Sequence, residues 1–437
     1  MSWASRFRLL QYTKASLWIV PLIGLVLGVL LAEWAVSVDA TEWLPAGWRY
    51  SASTAGGVLT AIVGAMIALL GFVVTIGVLV VQQATGTLSP RYMRLWYRDR
   101  LQKAVLATFT GTFSFALLRS IESDSVPDLG VTMAGSAVSV SLLLLLVYLN
   151  RFTHNLRPVA IAGLVGRMGE EVLVRGEAAV LGAAPRAGDP VPPAAGGPIT
   201  YVRSERGGVI QAFHPERLTA LAVRHDCLLV VTRLVGDYVP PGGVVVEVHG
   251  GSPAPAARRV TGLIAFGSER TIEQDPAFAL RVLVDIAVRA LSPAVNDPTT
   301  AVQVLNRIEA FLHTVGRTGL RNRYVLADRD GTPRLVVQGR DWEDYLQLAV
   351  TEIREYGTSS VQICRRLRAL LEGLLSALPP GPLPAVRTEL TLLREAVERE
   401  YPDPARRTRA RTPDPQGIGA RPRPGPGPRP GPGPGPD

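Results

Sequence analysis

A chain of 437 residues, 47% of them hydrophobic, with a mean hydropathy of +0.20, has room for two or three domains and places one of them in a bilayer. Its net charge of +9 is almost wholly arginine, since Lys14 and Lys103 are the only lysines; with abundant Ala, Gly and Pro, that skew points to GC-rich coding, and no nucleic-acid partner is expected. Cys227 and Cys364 lie far apart without C-x-x-C spacing, which excludes a zinc ribbon and a thioredoxin-like centre and makes a disulfide inside the cell an unexpected feature.

The first apolar segment, Leu17 to Ala32, follows Arg6, Arg8 and Lys14 and is bordered by Glu33, Trp34 and Trp43. No small-residue cleavage site follows it, so it reads as an uncleaved anchor with an aromatic interfacial border. The run Gly56 to Val81 contains no charged residue and, at about 1.5 Å of rise per residue, crosses a hydrocarbon core of about 30 Å with some tilt. Ala104 to Leu118 and Val131 to Leu149 supply a third and a fourth span.

Small residues fall in the second span at Gly57, Ala61, Gly64, Ala68 and Gly71, in alternating steps of four and three that trace one seam. In lipid, helices associate by close contact at such faces. The plain reading is packing within the chain's own bundle; the sharper one is that the seam meets a second copy and lines or gates a pore.

Orientation follows from arginine in the short loops. Met1 to Ser16 is basic without acids, Gln82 to Lys103 carries Arg91, Arg94, Arg98, Arg100 and Lys103 against Asp99, and Arg151 and Arg157 follow the fourth span. Asp39 and Glu42, and Glu122, Asp124 and Asp128, mark the opposite loops. Four spans with both termini cytoplasmic, in the inner membrane of a bacterial cell, satisfy the positive-inside rule. Arg119 is expected to snorkel to the outer headgroups. The polar residues inside the spans are hydroxylic, among them Thr75, Thr110, Thr112, Ser114, Ser136, Ser139 and Ser141. No Asp, Glu, Lys or His occupies the middle of a span, so a proton relay is not indicated; hydroxyls bonded to helix carbonyls are the commoner arrangement.

Pro158 to Leu181 reads as a helical connector and Gly182 to Pro198 as a mobile Pro/Ala/Gly linker. β-like runs follow at Gly208 to Phe213, Cys227 to Leu234 and Gly243 to Val248, with a helix after Pro215 that turns Leu218, Leu221 and Ala222 to one face.

Polar patterning is densest from Arg270 to Ala301. Asp275-Pro276 and Asn296-Asp297-Pro298 each read as a helix start with proline at the first helical position. Arg281, Asp285 and Arg289 recur every four residues, with Ser292 at the helix end. Two accounts stand: a structural ion-pair ladder, or a pocket for an anionic small ligand built from Arg270, Arg281, Arg289 and the free N–H groups at the Pro298 helix start.

Asp285-Ile286-Ala287, Arg289 to Pro293, Asn296-Asp297-Pro298 and Thr300-Ala301, together with Arg270-Thr271, Gln274-Asp275-Pro276 and Ser89-Pro90-Arg91, resemble the signature of the DUF2254 predicted bacterial membrane proteins. The resemblance runs from about Ser16 to Phe311 and departs at Gln82, Gln83 and Thr85. It implies a membrane-embedded N-terminal half and a soluble C-terminal half, and it carries no reaction or catalytic residue with it.

Downstream, Val302 to Val315 continues a helix, Tyr324 to Leu326 and Leu335 to Val337 flank a turn at Asp330-Gly331, Asp341 caps a helix through Tyr356, and amphipathic helices occupy Ser360 to Leu375 and Pro384 to Glu400. Arg421 to Asp437 alternates proline with Gly or Arg and is expected to be disordered.

The expected organisation is a multi-pass α-helical membrane domain of four spans (1–155), a connector and linker (156–199), and a cytoplasmic α+β region. That region comprises a small β-rich module (200–262), a mainly helical domain (263–400) and a disordered tail (401–437). No H-E-x-x-H, Walker A loop or G-x-G-x-x-G is present, so neither an enzyme, a cofactor nor a metal site is expected. The readings left are a homo-oligomeric channel or pore with a cytoplasmic regulatory domain, and a membrane-tethered sensor or scaffold that binds an anionic ligand or a protein through 270–301.

Overall fold

The computed structural model describes residues 2–39, 51–87, 98–121, 128–155, 157–181, 199–251 and 253–418. Ser89-Pro90-Arg91, Arg94, Glu42, Glu122, Asp124, the 182–198 linker and the Arg421 to Asp437 tail lie outside them. The chain divides into two compact units, one of 1–164, 183–275 and 325–337, the other of 165–182, 276–324 and 338–437.

The first unit opens with α1 (Trp3–Ala15), then α2 (Ile19–Asp39), α3 (Ala52–Thr87), α4 (Arg100–Ile121) and α5 (Asp128–Asn155). Among the described residues four helices are long and apolar enough to cross a membrane, over Ile19–Val38, Ser53–Gln82, Arg100–Ile121 and Leu129–Arg151. Their shared core is built from residues such as Ala32, Leu59, Met66, Val73, Phe109 and Phe115. Their outer surface carries Leu22, Leu27, Leu30, Ile67, Phe72, Leu143 and Leu146, an arrangement that suits hydrocarbon as solvent.

Close helix approach within this bundle occurs between α2 and α4. A Cβ added at Gly24 would lie 2.2 Å from the Ala107 carbonyl oxygen, and one at Gly28 would lie 2.2 Å from the Gly111 carbonyl oxygen. Glycine there lets the Thr110 hydroxyl donate to the Pro21 carbonyl at 2.9 Å and Ser114 donate to the Leu25 carbonyl at 2.9 Å. Thr75, Ser136, Ser139 and Ser141 donate to carbonyls of their own helices, at Gly71, Thr132, Gly135 and Ala137. The commoner arrangement of these hydroxyls is therefore the one found. Arg119 is only 1% exposed; the bundle encloses it, and the expectation that it snorkels to headgroups is corrected.

The β-module belongs to the same unit. Strands β1 (Ile199–Arg203), β3 (Cys227–Val231) and β5 (Val244–Gly250) join β7 (Arg323–Ala327) and β8 (Pro333–Gln338) in one sheet, ordered β1-β5-β3-β8-β7. The β7–β8 hairpin, expected within the helical domain, therefore completes this sheet, because β8 pairs parallel to β3 through Leu229 with Leu335 and Val230 with Val336. A second sheet has β2 (Gly208–Phe213) between β4 (Tyr238–Val239) and β6 (Ile264–Gly267). Helix α7 (Pro215–Arg224) buries Leu218, Leu221 and Ala222, as their spacing predicts, and a short α8 (Ala257–Thr261) precedes β6.

Helix α1 packs on this module: Ala4 is buried with Ala212 and Ala265, Trp3 and Phe7 cover them, and the Ala4 N–H donates to the Gly262 carbonyl at 3.0 Å. Arg98 ties the turn before α4 to both, donating to Glu273 at 2.5 Å and to Gln11 of α1. Burial would raise the Glu273 carboxyl, but the Arg98 charge and its hydrogen bond hold it below the ordinary carboxylate range.

In the second unit α6 (Pro158–Leu181) contributes residues from 165 onward, followed by α9 (Pro276–Ala290), α10 (Pro298–Thr318), α11 (Trp342–Gly357), α12 (Val361–Ala377), α13 (Leu383–Glu400) and α14 (Pro404–Arg411). α9 is buried on most of its circumference, from Ala277 to Ala290. Gly169 is required where α6 meets it, since a Cβ there would lie 2.6 Å from the Ala279 Cβ. Residues 401–418, expected to begin a disordered tail, are instead ordered. The Asp403 carboxylate caps α14 by accepting from the Arg406 N–H at 2.8 Å, the Tyr401 hydroxyl donates to Ser359, and Arg365 donates to the Arg409 carbonyl.

Candidate functional site

The small-residue seam of α3 packs against none of the described residues. The buried positions of α3 are Ala55, Leu59, Ile62, Met66, Val73, Ile76 and Val80, and at 100° per residue they fall on the side opposite Gly57, Ala61, Gly64, Ala68 and Gly71. All five seam residues are exposed, and a Cβ added at Gly57, Gly64 or Gly71 would meet nothing within 4 Å. Among the described residues the seam has no intrachain packing role, and the glycines at the close α2–α4 contact are Gly24, Gly28 and Gly111. Gly24 and Gly28 form a G-x-x-x-G pair inside an apolar run, a signal the sequence held and which points to close helix contact.

The polar cluster of 270–301 is divided between the two units. Arg270 and Asp275 lie with the β-module, where the guanidinium meets the Asp275 carboxylate at 2.8 Å and 2.9 Å. They press on the turn at Gly236, which has φ +95°, and a Cβ there would lie 2.4 Å from an Asp275 carboxylate oxygen. Only glycine suits both constraints.

The remaining residues belong to the helical unit. Arg281 on α9 is shared between Asp285, at 2.9 Å, and Glu352 of α11. The hydrogen bond to Glu352 raises the Arg281 guanidinium above its ordinary range, partial burial opposes this, and Asp285 adds to it. Arg289 stands two turns beyond Arg281 on the same face, and its carbonyl accepts from the Ser292 hydroxyl at 2.7 Å. That bond gives the Ser292 hydroxyl a local structural partner.

Between α9 and α10 the chain turns tightly. Asn296 takes a left-handed conformation with φ +47°, tolerable for an Asn, and its N–H donates to the Ser292 carbonyl at 2.8 Å. The Asp297 carboxylate then caps α10, accepting from the Thr300 N–H at 3.0 Å and from the Thr300 hydroxyl at 2.5 Å. Asp297 itself occupies the Thr300 N–H, one of the groups that the sequence offered to an external anion. The Asn-Asp-Pro stretch is therefore a helix-hairpin corner written locally: an αL residue, a cap, and a proline at the first helical position.

Several ion pairs have no local signature in the sequence, among them two within the helical unit. Arg354 of α11 meets Glu389 of α13, both nearly inaccessible, and Arg366 of α12 meets Glu309 and donates to Asn306 at 2.9 Å. Their partners lie 35 and 57 positions apart in the chain, beyond the reach of any local motif. Burial pushes the Cys364 thiol up to about 12 and also raises Cys227, so neither has the thiolate character of a nucleophile.

A family model described as "Predicted membrane protein (DUF2254)" matches residues 14–373. Proteins of Mycobacterium tuberculosis and Mycobacterium bovis, both described as uncharacterized, are each 29% identical to the chain over 418 residues, covering 91% of it and 79% of the relative. A protein of a second Mycobacterium tuberculosis strain, likewise described, is 30% identical over 420 residues with the same coverage. No solved structure matches the chain.

Proposed function

The chain belongs to the DUF2254 family of predicted membrane proteins, and from that premise we propose that it assembles through α3 as a homo-oligomeric channel or pore with a cytoplasmic regulatory region. The observation that carries this reading is the outward seam. Around the rest of its exposed surface α3 presents Val58, Ile67, Phe72, Val74 and Leu79, which suit lipid, whereas Gly57, Ala61, Gly64, Ala68 and Gly71 leave a shallow groove along one line. Lipid gains nothing from glycine. A second α3 gains close backbone contact, and a repeat of 3.5 residues favours a left-handed crossing of about 20°.

Placement in the inner membrane with both termini cytoplasmic rests on the arginine-rich loops. The even number of candidate spans among the described residues and the docking of α1 on the β-module support one side for both.

The test is the mass of the detergent-purified protein by light scattering, with the detergent subtracted. A closed oligomer of three or more chains is expected, and Gly64→Leu with Gly71→Leu should reduce it to smaller species while the fold persists, because space is open at both positions. A monomeric wild type would sink the proposal.

A further inference from the structure

We infer that the β-module holds a binding site for a phosphate-bearing anion where the N-terminal end of α1 meets the arginines of α7 and α8. This inference stands apart from the oligomer reading. Arg217 and Arg224 lie two turns apart on one face of α7, Arg258 and Arg259 lie on α8, and with Ser2 and Trp3 they line a hollow of about 550 Å³.

No carboxylate among the described residues pairs with the arginines of this hollow. Arg98, Arg270, Arg281, Arg334, Arg354 and Arg366 each meet a carboxylate. Among the described residues none of Arg217, Arg224, Arg258 and Arg259 does so, and the acids next to them in sequence are engaged otherwise. Glu216 sits 2.7 Å from His214 Nδ1, and Asp226 pairs with Arg334 at 2.7 Å. Four guanidiniums around one hollow repel each other, a cost that a bound polyanion reverses. The guanidinium fork fits phosphate oxygens two at a time.

The wall is built rather than incidental. The Ala4 N–H of α1 is fixed to the Gly262 carbonyl at 3.0 Å, and Gly262 has no room for a side chain, since a Cβ would lie 2.9 Å from the Arg258 carbonyl oxygen. Ser2 caps α1 by accepting from the Ser5 N–H at 3.2 Å, and Trp3 packs edge-on against His214 with ring centroids 5.3 Å apart. These bonds occupy the Ala4 and Ser5 N–H groups at the start of α1, so the charge of the site comes from the arginines. α1 leads directly into α2, the first candidate span, and exposes Leu9 and Leu10, so a lipid headgroup and a soluble polyphosphate both offer the required chemistry.

The experiment titrates full-length protein in neutral detergent with sodium tripolyphosphate and, separately, with phosphatidylglycerol in mixed micelles, reading heat of binding. Saturable binding to at least one probe is expected, weakened by about tenfold or more in R217Q/R258Q, largely retained in R217K/R258K, and unchanged in R203Q on β1 of the same module. Saturation by tripolyphosphate assigns a soluble ligand; saturation by phosphatidylglycerol alone assigns a headgroup. Failure of both probes to saturate, or equal affinity in wild type and R217Q/R258Q, overturns the site.

Discussion

Gly28→Leu is expected to yield no stably folded membrane domain, and Gly28→Ala a folded but weakened one. The new Cβ would stand 2.2 Å from both the Gly111 carbonyl oxygen and the Ser114 hydroxyl, with Gly24 held equally close to the Ala107 carbonyl one turn earlier. Backbone atoms cannot swing aside as a side chain can, so α2 and α4 must separate. Separation also breaks the Thr110 to Pro21 and Ser114 to Leu25 hydrogen bonds. Overpacking of this kind costs about 1–3 kcal/mol or more for a single methyl, and the lost interhelical bonds add about 0.6 kcal/mol each. Thermal unfolding in detergent measures it, with Gly64→Leu as the contrast, since nothing lies within 4 Å there. A Gly28→Leu variant that melts with the wild type would refute the close α2–α4 contact.

Glu389→Ala should destabilise the helical unit by about 3–5 kcal/mol, because it strands a buried guanidinium. Arg354 is 9% exposed and Glu389 5%, so water cannot replace the lost carboxylate. Replacing both partners, Arg354→Met with Glu389→Leu, should recover most of the loss, since apolar isosteres avoid the desolvation of either charge. Unfolding followed by circular dichroism separates the two outcomes. A loss below about 1 kcal/mol for Glu389→Ala would show the pair to be solvated.

What the sequence made legible is what it encodes locally. The candidate spans are long uninterrupted apolar runs, and the Asn-Asp-Pro corner and the Asp341 capping box are complete within a few residues. The β7–β8 hairpin was equally visible, but its parallel partner β3 lies about a hundred positions upstream, and no periodicity announces that pairing. The α3 seam shows a different boundary. Period identifies a face of small residues without saying which way it points, because the inside and the outside of a membrane bundle are both apolar. Arg270 and Arg281 looked like neighbours along the chain and fall in separate units. Arg217 and Arg258, 41 positions apart, line one hollow; single exposed arginines in sequence carry no sign of such convergence.

The central claim is that α3 seams of different copies meet, and disulfide cross-linking in unsolubilised membranes tests it most directly. Ala68→Cys places a thiol on the seam, and Val74→Cys places one on the exposed surface beside it; the native Cys227 and Cys364 are buried and supply little background. The account predicts a dimer-mass band on mild oxidation for Ala68→Cys and little for Val74→Cys. Equal cross-linking at both positions, or none at Ala68→Cys, would contradict it.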